Sequence, residues 1–269
     1  MKTYRKYIVL SHGRTGSTIL TRMLRGHSRI VDYQELFNVD FQAEFRRSDD
    51  RARSLEYWIN AVDHAKLRRR PDLAALGTAP VKTLLDEYVW HDGYADGVGA
   101  VGLKVLHYQW KHDGPYPSLR EQLRRRLPGL RVVVLTRRNL LRQYLSHVMA
   151  HRVKQWHIAD AAQRRPRPRV RFTAKELLHA FDHCRLVEGE LSEMAAAAES
   201  SLQSTYEELV GDLPSYWRRL QGFVGVPGEP LSELRLAKIE DRTLREAIVN
   251  YDELKGDFRS TAYESCFDE

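Results

Sequence analysis

A short strand-like run, Tyr7-Ile8-Val9-Leu10, leads into Ser11-His12-Gly13-Arg14-Thr15-Gly16-Ser17-Thr18 and then into the apolar residues Ile19 and Leu20. These residue types, in this order, are suited to holding an anion. Gly13 and Gly16 let backbone amides turn toward a ligand, Ser17 and Thr18 offer hydroxyls at the start of a helix, and the helix N-terminus adds its partial positive charge. Arg14 supplies a fixed cation from inside the loop. The loop is not a Walker loop, because GxxxxGK[ST] requires a lysine directly after the second glycine, where this chain has Ser17. More chemistry stands at the ends of other strand-like runs: Glu35 after residues 29–33, Lys104 and His107 at the end of 98–106, and Arg138 after 131–136. In an open parallel sheet, ligands bind outside the carboxyl ends of the strands. Arg14, Glu35, Lys104, His107 and Arg138 are therefore expected to converge on one edge, bringing proton acceptors and cations together.

The elements that must position them follow a βα alternation. Four β-branched or apolar runs, 7–10, 29–33, 98–106 and 131–136, are each followed by a turn signal or a helical pattern, as expected around a parallel sheet. RVVVLT at 131–136 is continuous and apolar, the mark of a strand buried on both faces. Helices are predicted over 17–25, over 118–127 with a serine start and a Pro128-Gly129 stop, and over 139–156 with a stripe at Leu141, Leu145 and Val148. Residues 173–200 read as strongly helical, 203–209 as a fifth strand and 214–224 as a helix, while 40–95 are irregular or helical and rich in charge. This is an α/β, P-loop-like three-layer fold, a central parallel sheet flanked by helices. With no dividing linker, residues 1–269 are expected to form one domain.

Composition narrows the class. The 269 residues, 42% hydrophobic and 29% charged, exclude collagen-like, coiled-coil and wholly disordered chains. No window approaches the roughly 18 apolar residues of a membrane span, and the opening residues lack a secretory apolar region. Cys184 and Cys266 belong to no metal or CxxC spacing and are read as reduced thiols, with a cytoplasmic location expected. Forty-three Lys and Arg against 36 Asp and Glu give +7, which favours anionic partners. Five arginines lie in QRRPRPRVRF at 163–172, either a solvated loop kept extended by Pro166 and Pro168 or a basic lid over a ligand.

The segment Arg14-Thr15-Gly16-Ser17-Thr18 resembles the 5′-phosphosulfate loop of sulfotransferases that use 3′-phosphoadenosine 5′-phosphosulfate (PAPS). In that family the 3′-phosphate is gripped by an arginine ending a strand and a serine eight residues later, which fall on Arg138 and Ser146. YQELFN, GLKVLHYQW, TRRNLLRQYLSHVMAHRVKQW, TYEELV and NYDELKGDF occur in the order seen in bacterial carbohydrate sulfotransferases. They are similar to the nodulation-factor enzymes and, more distantly, to the trehalose enzymes; residues 40–95 and 163–172 fall outside the likeness. The resemblance implies PAPS as sulfuryl donor, no metal requirement, and a hydroxyl of a carbohydrate or glycolipid as acceptor. It implies donor binding by Gly13, Arg14, Thr15, Gly16, Ser17, Thr18, Arg138 and Ser146, with Tyr206 near the adenine and Lys255 or Arg259 near the 3′-phosphate. Glu35 falls on the family's general base, whereas animal cytosolic enzymes use a histidine two residues after a lysine and His107 is three after Lys104. Arg14 and Lys104 would neutralise the leaving group. Nucleic acid is not an expected partner. A kinase using ATP and magnesium would need a lysine in the loop and an acidic residue ending a strand, and a non-catalytic binder of acidic polymers would leave the loop, Glu35 and the Arg138 to Ser146 spacing unexplained.

Overall fold

The computed structural model describes residues 4–38, 55, 57–68, 79–110, 116–156, 158, 160–234, 238 and 240–268. The remainder of the charged 40–95 stretch lies outside the described residues. Five strands, β1 (Arg5–Ser11), β2 (Ile30–Asp32), β3 (Ala100–Leu106), β4 (Arg131–Thr136) and β5 (Ser200–Thr205), form one sheet in the order β2-β3-β1-β4-β5. Every pairing is parallel, with Ile8 opposite both Leu103 and Val132. All five carboxyl ends therefore share one edge.

Helices α1 (Ser17–Gly26), α2 (Leu119–Arg124), α3 (Leu140–Val153), α4 (Ala174–Ala196), α5 (Tyr206–Gly211) and α6 (Leu213–Val224) flank the sheet. Alternation along the strands sorts the core. Ile8, Leu10, Leu103, Val105, Val132 and Val134 face Val187 and Leu191 of α4, whereas Tyr7, Val9, Val133 and Leu135 face Leu20 and Leu24 of α1 and Trp217 and Leu220 of α6. A third cluster joins Leu141, Leu145 and Met149 of α3 to Phe181, Leu244, Ile248, Phe258 and Phe267. Cys184 and Cys266, both buried and unbonded to each other, belong to this cluster.

The fifth strand starts and stops earlier than its sequence pattern suggests. Thr205 caps α5, its side chain accepting from the Glu208 amide, so Tyr206 opens a helix instead of continuing the strand. The basic stretch at 163–172 runs as a strap against residues 238–253. Val170 N donates to Ala247 O at 2.9 Å and accepts, through its carbonyl, from Val249 N at 2.7 Å. Arg164 and Arg167 each pair with Asp241 at 2.7 Å, Arg167 also with Glu240 at 3.1 Å, and Arg169 donates to Ile248 O at 2.9 Å.

Candidate active site

The loop between β1 and α1 is tied down from below and open in its amides. Ser11 Oγ donates to Leu135 O at 2.9 Å, and Thr15 Oγ1 bonds to Ser11 and donates to His12 O at 3.1 Å. Thr15 is 1% exposed, so its hydroxyl braces the loop from inside. Among the described residues, the first bonded amide of α1 is that of Ile19, donating to Gly16 O at 2.9 Å, and the amides of Thr15, Gly16, Ser17 and Thr18 have no acceptor. Four unpaired N–H groups at a helix N-terminus make an anion seat. Gly16 holds φ +84°, and a Cβ there would stand 2.5 Å from Cδ2 of Tyr206. The Tyr206 ring thus packs on the loop, and the Arg137 guanidinium covers that ring at 4.4 Å.

Arg14, at φ 66°, directs its guanidinium toward α3. Nε donates to Ser146 Oγ at 3.0 Å and Nη1 to Trp156 O at 2.9 Å. Gln143, three residues before Ser146 on the same helix face, donates through Nε2 to Gly13 O at 2.9 Å. Burial pulls the Arg14 guanidinium down to about 10, the nearby Arg137 cation adds to the fall and Glu35 opposes it. Arg137 Nη1 donates to Arg14 O at 3.3 Å, and burial lowers its guanidinium as well. Arg138, the residue expected to act with Ser146, is 63% exposed and pairs with Glu208 at 2.8 Å. Ser146 therefore meets Arg14 in this structure, and Arg138 stands outside that contact. Lys255 pairs with Asp268 at 3.3 Å.

Glu35 and Lys104 form a buried pair, Nζ to Oε1 2.5 Å, with side chains 8% and 2% exposed. Asn38 Nδ2 donates to the second carboxylate oxygen at 2.6 Å. The turn that presents Glu35 is fixed locally. Asp32 accepts from Gln34 N at 2.8 Å and from Tyr7 OH at 2.7 Å, Gln34 takes φ 50°, and its carbonyl accepts from Lys104 N at 2.7 Å. Burial pushes Asp32 up to about 6 against the Tyr7 and Gln34 hydrogen bonds. His107 pairs with Glu190 of α4, Nε2 to Oε2 2.8 Å. The structure thus gathers Arg14, Glu35, Lys104 and His107 at one sheet edge beside the loop.

A sequence description of the sulfotransferase family matches residues 7–230, taking in the loop, Glu35, Lys104 and the Arg14–Ser146 contact. The chain belongs to the sulfotransferase family. Two relatives, Nodulation protein H of Rhizobium meliloti and of its strain 1021, are each 25% identical, over 98% and 97% of this chain and 95% and 94% of their own lengths. The crystal structure of a sulfotransferase from Alicyclobacillus acidocaldarius shares the fold at TM-score 0.50 and 13% identity, covering 98% of this chain and 95% of its own.

For a member of this family, several site residues escaped the sequence reading. Gln143 was legible in principle, since Gln143 and Ser146 share a helical face at the spacing i, i+3. Arg137 stands next to Arg138 in the sequence, and nothing there distinguishes the arginine that stacks on Tyr206 from the one that faces solvent. Asn38 and Asp32, the partners of the Glu35 turn, carry no motif of their own.

Proposed function

We propose that the chain transfers a sulfuryl group from PAPS to a hydroxyl of a carbohydrate or glycolipid acceptor, with Glu35 as general base. The observation that carries this reading is the run of unpaired amides at Thr15 to Thr18, set against Arg14 and the Glu35–Lys104 pair. The donor set is amide, hydroxyl and guanidinium, which suits a phosphosulfate. The loop amides with Ser17 and Thr18 would hold the 5′-phosphosulfate, Tyr206 the nucleoside side, and Arg138 with Ser146 the 3′-phosphate. Bound there, PAPS would supply the sulfuryl group. The S–O bond to phosphate breaks as the S–O bond to the acceptor forms, and the acceptor hydroxyl proton passes to Glu35.

In-line positioning and charge stabilisation are the main demands of such a transfer. Lys104 serves two partners in turn: it holds the Glu35 carboxylate in place in the free protein and offsets charge on the departing phosphate oxygen during transfer. Among the described residues, the Arg138 guanidinium pairs with Glu208 in a solvent-exposed contact worth little, so a phosphate can displace that partner. The resemblance of the segments YQELFN, GLKVLHYQW and TYEELV to carbohydrate sulfotransferases supports a glycan or glycolipid as acceptor. A second reading rests on the His107–Glu190 pair, an imidazole oriented by a carboxylate, which would place the base on His107.

Thermal unfolding with nucleotides tests the donor. 3′-phosphoadenosine 5′-phosphate (PAP) should stabilise the fold by about 2.7 kcal/mol at 100 times its dissociation constant, and ATP much less. Equal shifts, or a strict magnesium requirement, would move the assignment to a kinase.

A further inference from the structure

Three imidazoles from distant parts of the chain meet beside the loop. His12 follows β1, His107 follows β3 and His183 lies on α4. Their ring centroids are 5.6 Å (His12 to His183), 6.3 Å (His107 to His183) and 6.4 Å (His12 to His107) apart, each pair edge to face. The transfer as described uses neither His12 nor His183.

The partners around His12 fix its protonation. Gln143 Nε2 lies 2.9 Å from His12 Nδ1 and donates to Gly13 O, so His12 Nδ1 accepts and its proton sits on Nε2. Cys184 Sγ is 3.7 Å from the same Nδ1, and burial pushes that thiol up to about 12, leaving it neutral. Burial, with His183, His107 and His147 adding to the effect, holds His12 down to about 4. On α3, His147 is likewise held at about 4 by burial, His151 and Arg14. The facing charges are Arg14 from the loop, whose cation Glu35 partly offsets, Glu190 on His107, and Arg120 of α2, 3.8 Å from Glu190. Glu190 and Glu35 thus stand among several imidazoles and the guanidinium groups of Arg14 and Arg120, while Glu188 and Arg185 act on Cys184, beside a loop whose amides already await an anion.

We propose that His12, His107 and His183 form a proton-dependent anion subsite beside the loop, which takes up a proton when a sulfate or phosphate group enters. The inference shares with the sulfuryl-transfer reading only the loop as the seat of the anion. An entering dianion adds negative charge to that of Glu190, and opposite charge at this range raises an imidazole's proton affinity. A second proton would lie within 6.4 Å of the first, so uptake stops near one. Sulfate entry is thereby coupled to about one proton, and affinity rises as pH falls.

Inorganic sulfate is the probe, because it keeps its double charge across the range. Thermal unfolding is followed against sodium sulfate at pH 6 and pH 7, with ionic strength held constant by sodium chloride. In the unaltered chain the half-saturating sulfate concentration should be about tenfold lower at pH 6, as one coupled proton requires. In His12→Asn/His183→Asn the difference should fall below about twofold. His183 is exposed on α4, so His183→Asn alone keeps the test available if the double variant does not fold, and it should lose at least half of the tenfold effect on a logarithmic scale. A flat or absent sulfate response in the unaltered chain, or an unchanged tenfold difference in the variants, overturns the subsite. PAP titrated in parallel separates the two readings: failure of PAP to bind while the sulfate response follows the expected pattern would overturn PAPS as donor and support the subsite.

Discussion

At the scale of single residues, the proposed chemistry rests on Glu35, a carboxylate that the fold buries beside Lys104. Glu35→Gln keeps the shape and the Asn38 contact but removes the basicity. Turnover with a sugar acceptor should fall by about a hundredfold to ten-thousandfold, PAP affinity measured by calorimetry should stay nearly constant, and His107→Ala should retain substantial activity. The reverse pattern would give the base role to His107. The two neighbouring arginines should separate in kind. Arg138→Ala should weaken PAP by about 1.5 to 3 kcal/mol with little change in melting temperature. Arg137→Ala, which strips the cover from Tyr206 and frees the Arg14 carbonyl, should chiefly lower the melting temperature. Gly16→Ala meets both a positive φ and the Tyr206 ring, and should cost about 1 to 3 kcal/mol in denaturant unfolding. The convergence of Arg14, Glu35, Lys104 and His107 was legible because each lies near or just beyond the carboxyl end of a strand. The direction of a side chain beyond that end is set by partners far along the chain, and so Arg14 is found on Ser146 while Arg138 faces Glu208.

At the scale of elements, boundaries were legible where a cap writes itself into the sequence. Residues 131–136 form β4 as expected, and Asn139 opens α3 by accepting from the Arg142 amide at 2.8 Å. The other end of α3 was placed too late. Lys154 takes the left-handed cap at φ 49°, a position where glycine is the usual signal and lysine gives none. The fifth strand slipped for the opposite reason, because Thr205 and Glu208 write a helix start inside an apparent strand. The long α4 begins with a reciprocal cap in which Thr173 accepts from the Glu176 amide and Glu176 from the Thr173 amide. Thr173→Ala should cost about 1 kcal/mol, read as an earlier denaturant midpoint with an unchanged slope.

At the scale of the whole molecule, titration of buried groups sets the response to acid. His12 and His147 are held at about 4 in the fold, below the 6.5 of a free imidazole. The unfolded chain therefore binds extra protons between those values, and stability falls as pH drops through that window. Asp32, raised from 3.8 to about 6, works the other way, since there the folded chain holds a proton that the unfolded chain releases. His12→Asn should flatten the acid limb of melting temperature against pH, and Asp32→Asn should steepen it. The βα alternation was legible, whereas the strand order was not, because neighbours in a parallel sheet are chosen by packing across the whole chain. That order has a consequence for synthesis. β1 is made first yet sits in the centre of the sheet, hydrogen-bonded on both sides to strands that begin at Ala100 and Arg131. Until the ribosome has delivered residues 100–106, the nascent chain displays Tyr7, Ile8, Val9 and Leu10, all 0% exposed in the finished fold, on a strand with two open edges. Folding that waits on such distant partners is slow, and the waiting strand is an aggregation hazard. Expression at lowered temperature, or with a chaperone that shields short apolar strands, should raise the soluble yield.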